Sequence, residues 1–408
     1  MKKQQIKAGI SAAVIGLLSP LAMVVPASAA SKTWDGHKEG FGNNYVSSDY
    51  NWVGDVAPSS GDVWHFPGSG VSQTIDIDVV DVADPVDIGG IFFDGDYTGI
   101  SEKSYTLMDE AIELLGNIEA TMTGNGGNHD VGVDITLKAD VSFKTSGSNS
   151  LSVGTETSTL GLGANDLTLD ASGGTISLFG KVTGSGNIVK SGTGKVQIST
   201  VPGTGGYTGS VTLSAGDFNA NGTLGAVSIS GGTLKGTGTV GAVSMSSGSI
   251  APGNSPGTLN TGTVTLTGGT HAVELGGKAA GEFDKLNVVG DVDLGSATDL
   301  SISLVNSFTP AVNDSFVIID NDGTDAVKGA FKGLADGEKV TLSSYTYQIN
   351  YDGGTGNDVV LLVTGTPSAP DTGVGSLIGN PVGSLLAALL VAGSVVGYRY
   401  FEIKKARR

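Results

Sequence analysis

The chain has 408 residues, 66 of them glycine, a formal net charge of −18 and no cysteine. With 39% hydrophobic residues it can bury a large core, and without cysteine it has no disulfide framework, thiolate nucleophile or Cys-ligated metal. All three arginines (Arg399, Arg407, Arg408) lie in the last ten residues, so the acidic body lacks the clustered cations that nucleic acid requires.

Residues 1–29 read as a secretory signal. Lys2, Lys3 and Lys7 form a basic start, residues 10–25 an apolar run broken by Pro20, and Ala27-Ser28-Ala29 the small-residue cleavage pattern. A retained membrane helix is the alternative, disfavoured by the short, Pro-interrupted run.

Residues 30–120 form an aromatic N-terminal cap with the first β turns. They hold all three tryptophans, Trp34, Trp52 and Trp64. Large aromatics at the start of a repeat array most simply plug its open end, and a sugar-stacking platform is the other reading. Ile75, Ile77 and Val79 alternate with polar residues, which predicts a strand pair across 76–96. Residues 105–120 contain Asp109-Glu110-Ala111, locally helix-favouring, but strand-like neighbours decide for strand.

Residues 121–280 are the repeat body. Short strands are expected at 131–137, 151–153, 160–169 and 175–179. Residues 209–256 then write one sixteen-residue unit three times: GSVTLSAGDFNANGTL, GAVSISGGTLKGTGTV, GAVSMSSGSIAPGNSP. Val211, Val227 and Val243 share position three; Leu213, Ile229 and Met245 share position five; Phe218, Leu234 and Ile250 share position ten. Thr212, Ser228 and Ser244 fall between the first two columns and point outward by strand alternation. Gly216, Gly232 and Gly248 mark a turn with positive φ, and Gly222, Gly238 and Asn254 a second position tolerant of left-handed geometry. Such a unit cannot bury its own apolar residues, but stacked copies can. The period therefore predicts an all-β parallel β-helix, a β-solenoid. A sandwich of Gly-rich hairpins is the alternative, but hairpins do not require identical registers in successive copies.

From 281 to 364 glycine thins and longer strands are expected at 284–289, 300–305, 315–319 and 345–351, forming a C-terminal β cap. Here Asp320, Asp322 and Asp325 place oxygen ligands around Gly323 at a spacing that suits Ca²⁺, without the Glu that closes an EF-hand. Asp358 lies in Gly353-Gly354-Thr355-Gly356-Asn357-Asp358, a single match to a Ca²⁺-binding nonapeptide that works in neighbouring copies. Plain Asp/Gly turns are the simpler reading, so Ca²⁺ is the one cofactor considered. No catalysis is expected: His37, His65, His129 and His271 are scattered, with no HExxH.

The repeats resemble the autotransporter-associated β-strand repeat family. So do Trp34-Asp35-Gly36 and Asn51-Trp52 at the opening, GSGNIVKSGTGKVQIS at 184–199 and APGNSPGTL at 251–259. The resemblance covers most of residues 34–363 and implies a right-handed parallel β-helix displayed outside the cell, as an adhesin or surface filament. That family ends in an outer-membrane barrel. The roughly forty residues after the C-terminal β cap are too few for even eight spanning strands of ~10 residues each.

Residues 365–408 instead resemble a sortase sorting signal. Ala369-Pro370-Asp371-Thr372-Gly373 precedes an uncharged run over 374–398 and a basic tail. The run is long enough to form a transmembrane helix, and the tail stays inside by the positive-inside rule. The resemblance implies cleavage after Thr372 and transfer to the cell wall. Ala369 departs from the family's Leu, and an uncleaved membrane helix is the alternative. The expected function is a non-enzymatic cell-surface solenoid, anchored through membrane or sortase and wall, acting as stalk, coat or adhesin toward a glycan or partner-cell surface. A carbohydrate-binding or carbohydrate-active surface protein is the alternative.

Overall fold

A computed structural model of the protein describes residues 30–33, 53, 57–67, 73–77, 86–94, 96–97, 105–109, 111–121, 123–124, 126–199 and 206–367. The signal with Ala27 and Ala29, Trp34, Trp52, and the sorting motif Ala369–Gly373 with the run and tail behind it lie outside these residues.

The described chain is all strand and turn, with no helix. It is a parallel β-solenoid whose two long sheets hold twelve and eleven strands. A five-stranded sheet, running from Val86–Ile88 to Lys181–Thr183, supplies a third side to the earlier coils. A seven-stranded sheet begins at Thr239–Val240 and serves the later ones. One coil visits three sheets in turn, as in Ile135–Leu137, Val141–Thr145 and Ser150–Val153.

The sixteen-residue unit is one coil. Val211 pairs with Val227 and Val227 with Val243; Leu213, Ile229 and Met245 stack beside them. Phe218, Leu234 and Ile250 form the facing column in the second long sheet. All nine side chains are buried, while Ser228 and Ser244 are exposed. A one-residue slip would turn every column outward, so burial fixes the register. The columns continue beyond the visible repeat, Val243 onto Val264 and Ile250 onto His271.

Gly216, Gly232 and Gly248 take φ of 69°, 74° and 87°, as the turn position requires. The second glycine position works differently. Gly222, Gly238 and Asn254 do not adopt positive φ; Gly236, Gly253 and Ser255 do. Gly238 is needed for space, because a Cβ there would overlap the carbonyl oxygen of Gly222 on the previous coil.

Three further expectations change. The strand expected over 131–137 is two, Asn128–Val131 and Ile135–Leu137, in different sheets. That over 160–169 is likewise split into Thr159–Gly161 and Leu167–Ala171. The apolar runs continue across corners because inward residues sit on both sides of each corner. The pair expected across 76–96 is not a hairpin: Gln73–Ile77 pairs in parallel with Tyr105–Asp109, and Gly90–Asp94 with Val63–Pro67 in the other long sheet. Residues 105–120 are strand, as Tyr105–Asp109, Ile112–Leu114 and Ile118–Ala120.

Near the N-terminal end the interior is aromatic. Trp64 is buried at 1% exposure, and Phe93 stacks on Phe66 at 5.5 Å and on His129 at 4.5 Å. At the other end the parallel order stops. Ser315–Asn321 pairs in parallel with Lys285–Val288 but antiparallel with Asp358–Gly365, and Tyr345–Gly353 and Lys339–Leu342 extend that antiparallel meander. Phe331 reaches from this region onto His271, with ring centroids 5.8 Å apart and the ring planes nearly parallel.

Candidate functional site

Strand alternation in the second long sheet sends Val196, Ile198, Phe218, Ala220 and Leu234 inward. Their neighbours therefore line up outside. Lys195, Asp217 and Thr233 form one outward row, and Gln197, Asn219 and Lys235 the next. Rungs lie about 4.8 Å apart. Apart from Thr233, these rows are the floor of a groove of about 390 Å³.

Its wall is the loop that follows Ser249–Ile250, from Ala251 to Ser255. The loop turns back through positive φ at Gly253 and Ser255. It is tied down at several points. The Asn254 amide Nδ2 donates to Asn221 Oδ1 at 3.0 Å, and the Ser255 hydroxyl donates to Glu274 Oε2 at 2.5 Å. Beneath it Asp284 accepts from the backbone N–H groups of Gly257 and Glu274, both at 2.9 Å. Burial pushes the Asp284 carboxyl up to about 7; the two N–H donors oppose the shift and the Glu274 carboxylate adds to it. With both oxygens engaged and 1% exposure, Asp284 is a staple under the loop rather than an acid facing the groove. In the floor, Lys235 pairs with Asp217 at 2.9 Å. The groove can therefore offer amides, carboxylates and amines to a polar ligand, but no aromatic face.

The four aspartates singled out for Ca²⁺ each have a partner of their own or stand apart. Asp320 pairs with Lys285 at 2.8 Å, and Asp322 Oδ1 accepts from the Gly290 N–H at 2.7 Å. Asp358 is buried; it accepts from the N–H of Asn321 at 2.9 Å and from Thr355. Asp325 offers its backbone oxygen to the amides of Asn321 and Asn357, while its Oδ2 is shielded without a partner. Among the described residues no three His, Cys, Asp or Glu side chains are gathered to hold a metal ion.

The three described histidines do not converge. His37 lies outside the described residues. His65 pairs with Asp94 at 2.9 Å. His129 and His271 are buried in the second-sheet core column, in register with Leu151 and Leu300. Burial lowers both to about 4, so both rings are neutral near pH 7.

Lys190 is a further charged group in the interior, fully buried between Leu169 and Leu213 in a first-sheet column. Its ammonium donates to the carbonyl oxygens of Ser191 and Gly192, both at 2.7 Å, and of Ala215 at 3.0 Å. Burial lowers it to about 8, against the pull of Asp170 and Asp217.

The chain matches no protein-family model and, among curated proteins, no relative. Its functional reading rests on its own residues.

Sequence reading missed the groove. Gln197 and Asn219 share an outward row but are separated by a longer coil, and the wall is the end of the third sixteen-residue unit. The available signal was the lengthening just after it: the next unit begins only at Gly262, twenty-one residues after Gly241. Trp64, one candidate for a sugar-stacking platform, is in the core.

Proposed function

We propose that the protein is a non-enzymatic, envelope-anchored surface solenoid, right-handed in its coil, that acts as a stalk, coat or adhesin. The observation that carries this reading is the unbroken in-register ladder. A parallel stack of twelve strands at about 4.8 Å gives a stiff body roughly 50 Å long without a disulfide. Its acidic surface keeps copies apart and soluble. The aromatic interior near the start and the antiparallel meander at the end act as caps that stop edge-to-edge stacking. Residues 1–29 direct export, and residues 365–408 hold the chain at the envelope.

The test is the mass of the protein released from its native cells by a wall-degrading enzyme. A C-terminus at Thr372 carrying a wall fragment supports sortase-type anchoring. An intact Arg408 in the membrane fraction replaces it with simple membrane tethering. Export with neither form at the envelope overturns the reading.

A further inference from the structure

We propose that the groove between the outward rows of the second long sheet and the Ala251–Ser255 loop is a binding site for a neutral oligosaccharide. Its volume, about 390 Å³, falls within the roughly 300–1,000 Å³ of small-ligand sites. The inference deepens the adhesin reading above, but it concerns the solenoid alone.

The chemistry of the walls selects the ligand class. Gln197 and Asn219 stand side by side on adjacent strands, and Asn221, just past the end of the Asn219 strand, and Asn254 of the loop also line the groove. Each amide carries a donor and an acceptor, and although Asn219 Oδ1 is shielded, the set as a whole matches the vicinal hydroxyls of a sugar. The row spacing of about 4.8 Å lets successive hydroxyls meet successive rungs. The two lysines do not make the groove an anion site. Lys235 is neutralised by Asp217, and Glu274 adds a further negative charge. The only apolar side chains of the lining are Ala251 and Pro252, so an apolar ligand would leave its amides and charged groups without partners.

The groove is also pre-formed. Asn254 to Asn221, Ser255 to Glu274 and the Asp284 staple fix the wall before any ligand arrives, so binding orders little new chain. With no aromatic platform among the described residues, each sugar is held by hydrogen bonds alone, which sets single-site affinity near the millimolar range. A surface array of many copies converts such contacts into firm attachment.

The test is saturation-transfer difference NMR on the purified full-length protein with cellobiose, maltose and N,N′-diacetylchitobiose, and with digalacturonate as the anionic contrast. We expect transfer to at least one neutral disaccharide at millimolar concentration and little to digalacturonate. The double substitution Gln197→Ala with Asn219→Ala should reduce that transfer at least fivefold. Among the described residues the shielded Asn219 Oδ1 has no hydrogen-bond partner and Gln197 bonds only to Ser199 on its own strand, so the fold should survive. An unchanged melting temperature checks this. If the double variant melts early, Lys235→Gln replaces it, with the same expected loss. No transfer to any neutral disaccharide, transfer unaffected by the substitutions, or preference for digalacturonate overturns the proposal. Each of these leaves the anchoring reading standing, because anchoring is read from cells and not from purified protein.

Discussion

The ammonium of Lys190 donates to the carbonyl oxygen of Ala215 at 3.0 Å, reaching from one coil to the turn of the next. Leu169 precedes Lys190 in its column and Leu213 follows it, so an apolar residue would fit the column's pattern. What the lysine adds is a donor for three turn carbonyls, those of Ser191, Gly192 and Ala215.

Lys190→Met should therefore destabilise the protein by about 1–3 kcal/mol despite its greater hydrophobicity, because buried carbonyls lose their donor. Urea unfolding monitored by circular dichroism measures this. A more stable Met variant would mean that the cost of burying the ammonium exceeds the value of its three bonds.

Gly232 and Gly281 separate two kinds of glycine requirement. Both have positive φ, 74° and 83°. A Cβ on Gly232 would overlap the carbonyl oxygen of Gly216 on the previous coil, whereas a Cβ on Gly281 meets nothing within 4 Å. Gly281→Ala should cost about 1 kcal/mol, the backbone term alone. Gly232→Ala should cost clearly more, about 3 kcal/mol, because the stack must also open. Equal losses in the two variants would show that coil spacing does not depend on glycine there.

His129 and His271 make stability pH-dependent. Each has a folded pKa near 4 against an ordinary value of 6.5, so the unfolded chain binds the protons first as pH falls. Stability from this source is full above about pH 6.5 and is lost down to about pH 4, by about 3 kcal/mol per histidine. Asp284 works in the opposite direction: its raised pKa, about 7, means the folded state takes the proton first and gains stability as pH falls. The readout is therefore a difference. A His129→Leu and His271→Leu double variant, with leucine matching the in-register Leu151 and Leu300, should lose less stability than the parent between pH 7 and pH 4.5. Identical losses would mean the rings are protonated or solvated in the fold.

The repeat was legible where coils have equal length and apolar columns. Val211, Val227 and Val243 announce themselves because no insertion separates them and no polar residue interrupts them. The neighbouring column of Met245, Ile229 and Leu213 runs back through Lys190 to Leu169, where a lysine at a core position disguises the pattern. His129 and His271 disguise it in the second sheet for the same reason. The corners at 132–134 and 162–166 were hidden by apolar residues on both sides, so strands ran together in the sequence. The groove was not legible because it depends on two rows from separate coils and on a loop that departs from the repeat. The aspartates from 320 to 325 illustrate the converse. Their spacing suits a cation, but Lys285 and the Gly290 N–H engage Asp320 and Asp322, and both lie far away in sequence.

The most direct test of the stacked-coil account is deletion of one complete unit, residues 225–240. If each sixteen-residue unit is one coil, the deletion brings Val243 onto Val211 and Ile250 onto Phe218, restoring every column. Circular dichroism during thermal unfolding should then show a β spectrum and a single cooperative transition. Deleting only residues 225–232 should abolish both, since half a coil puts turns where strands belong. A whole-unit deletion that unfolds, or a half-unit deletion that folds equally well, would contradict the account.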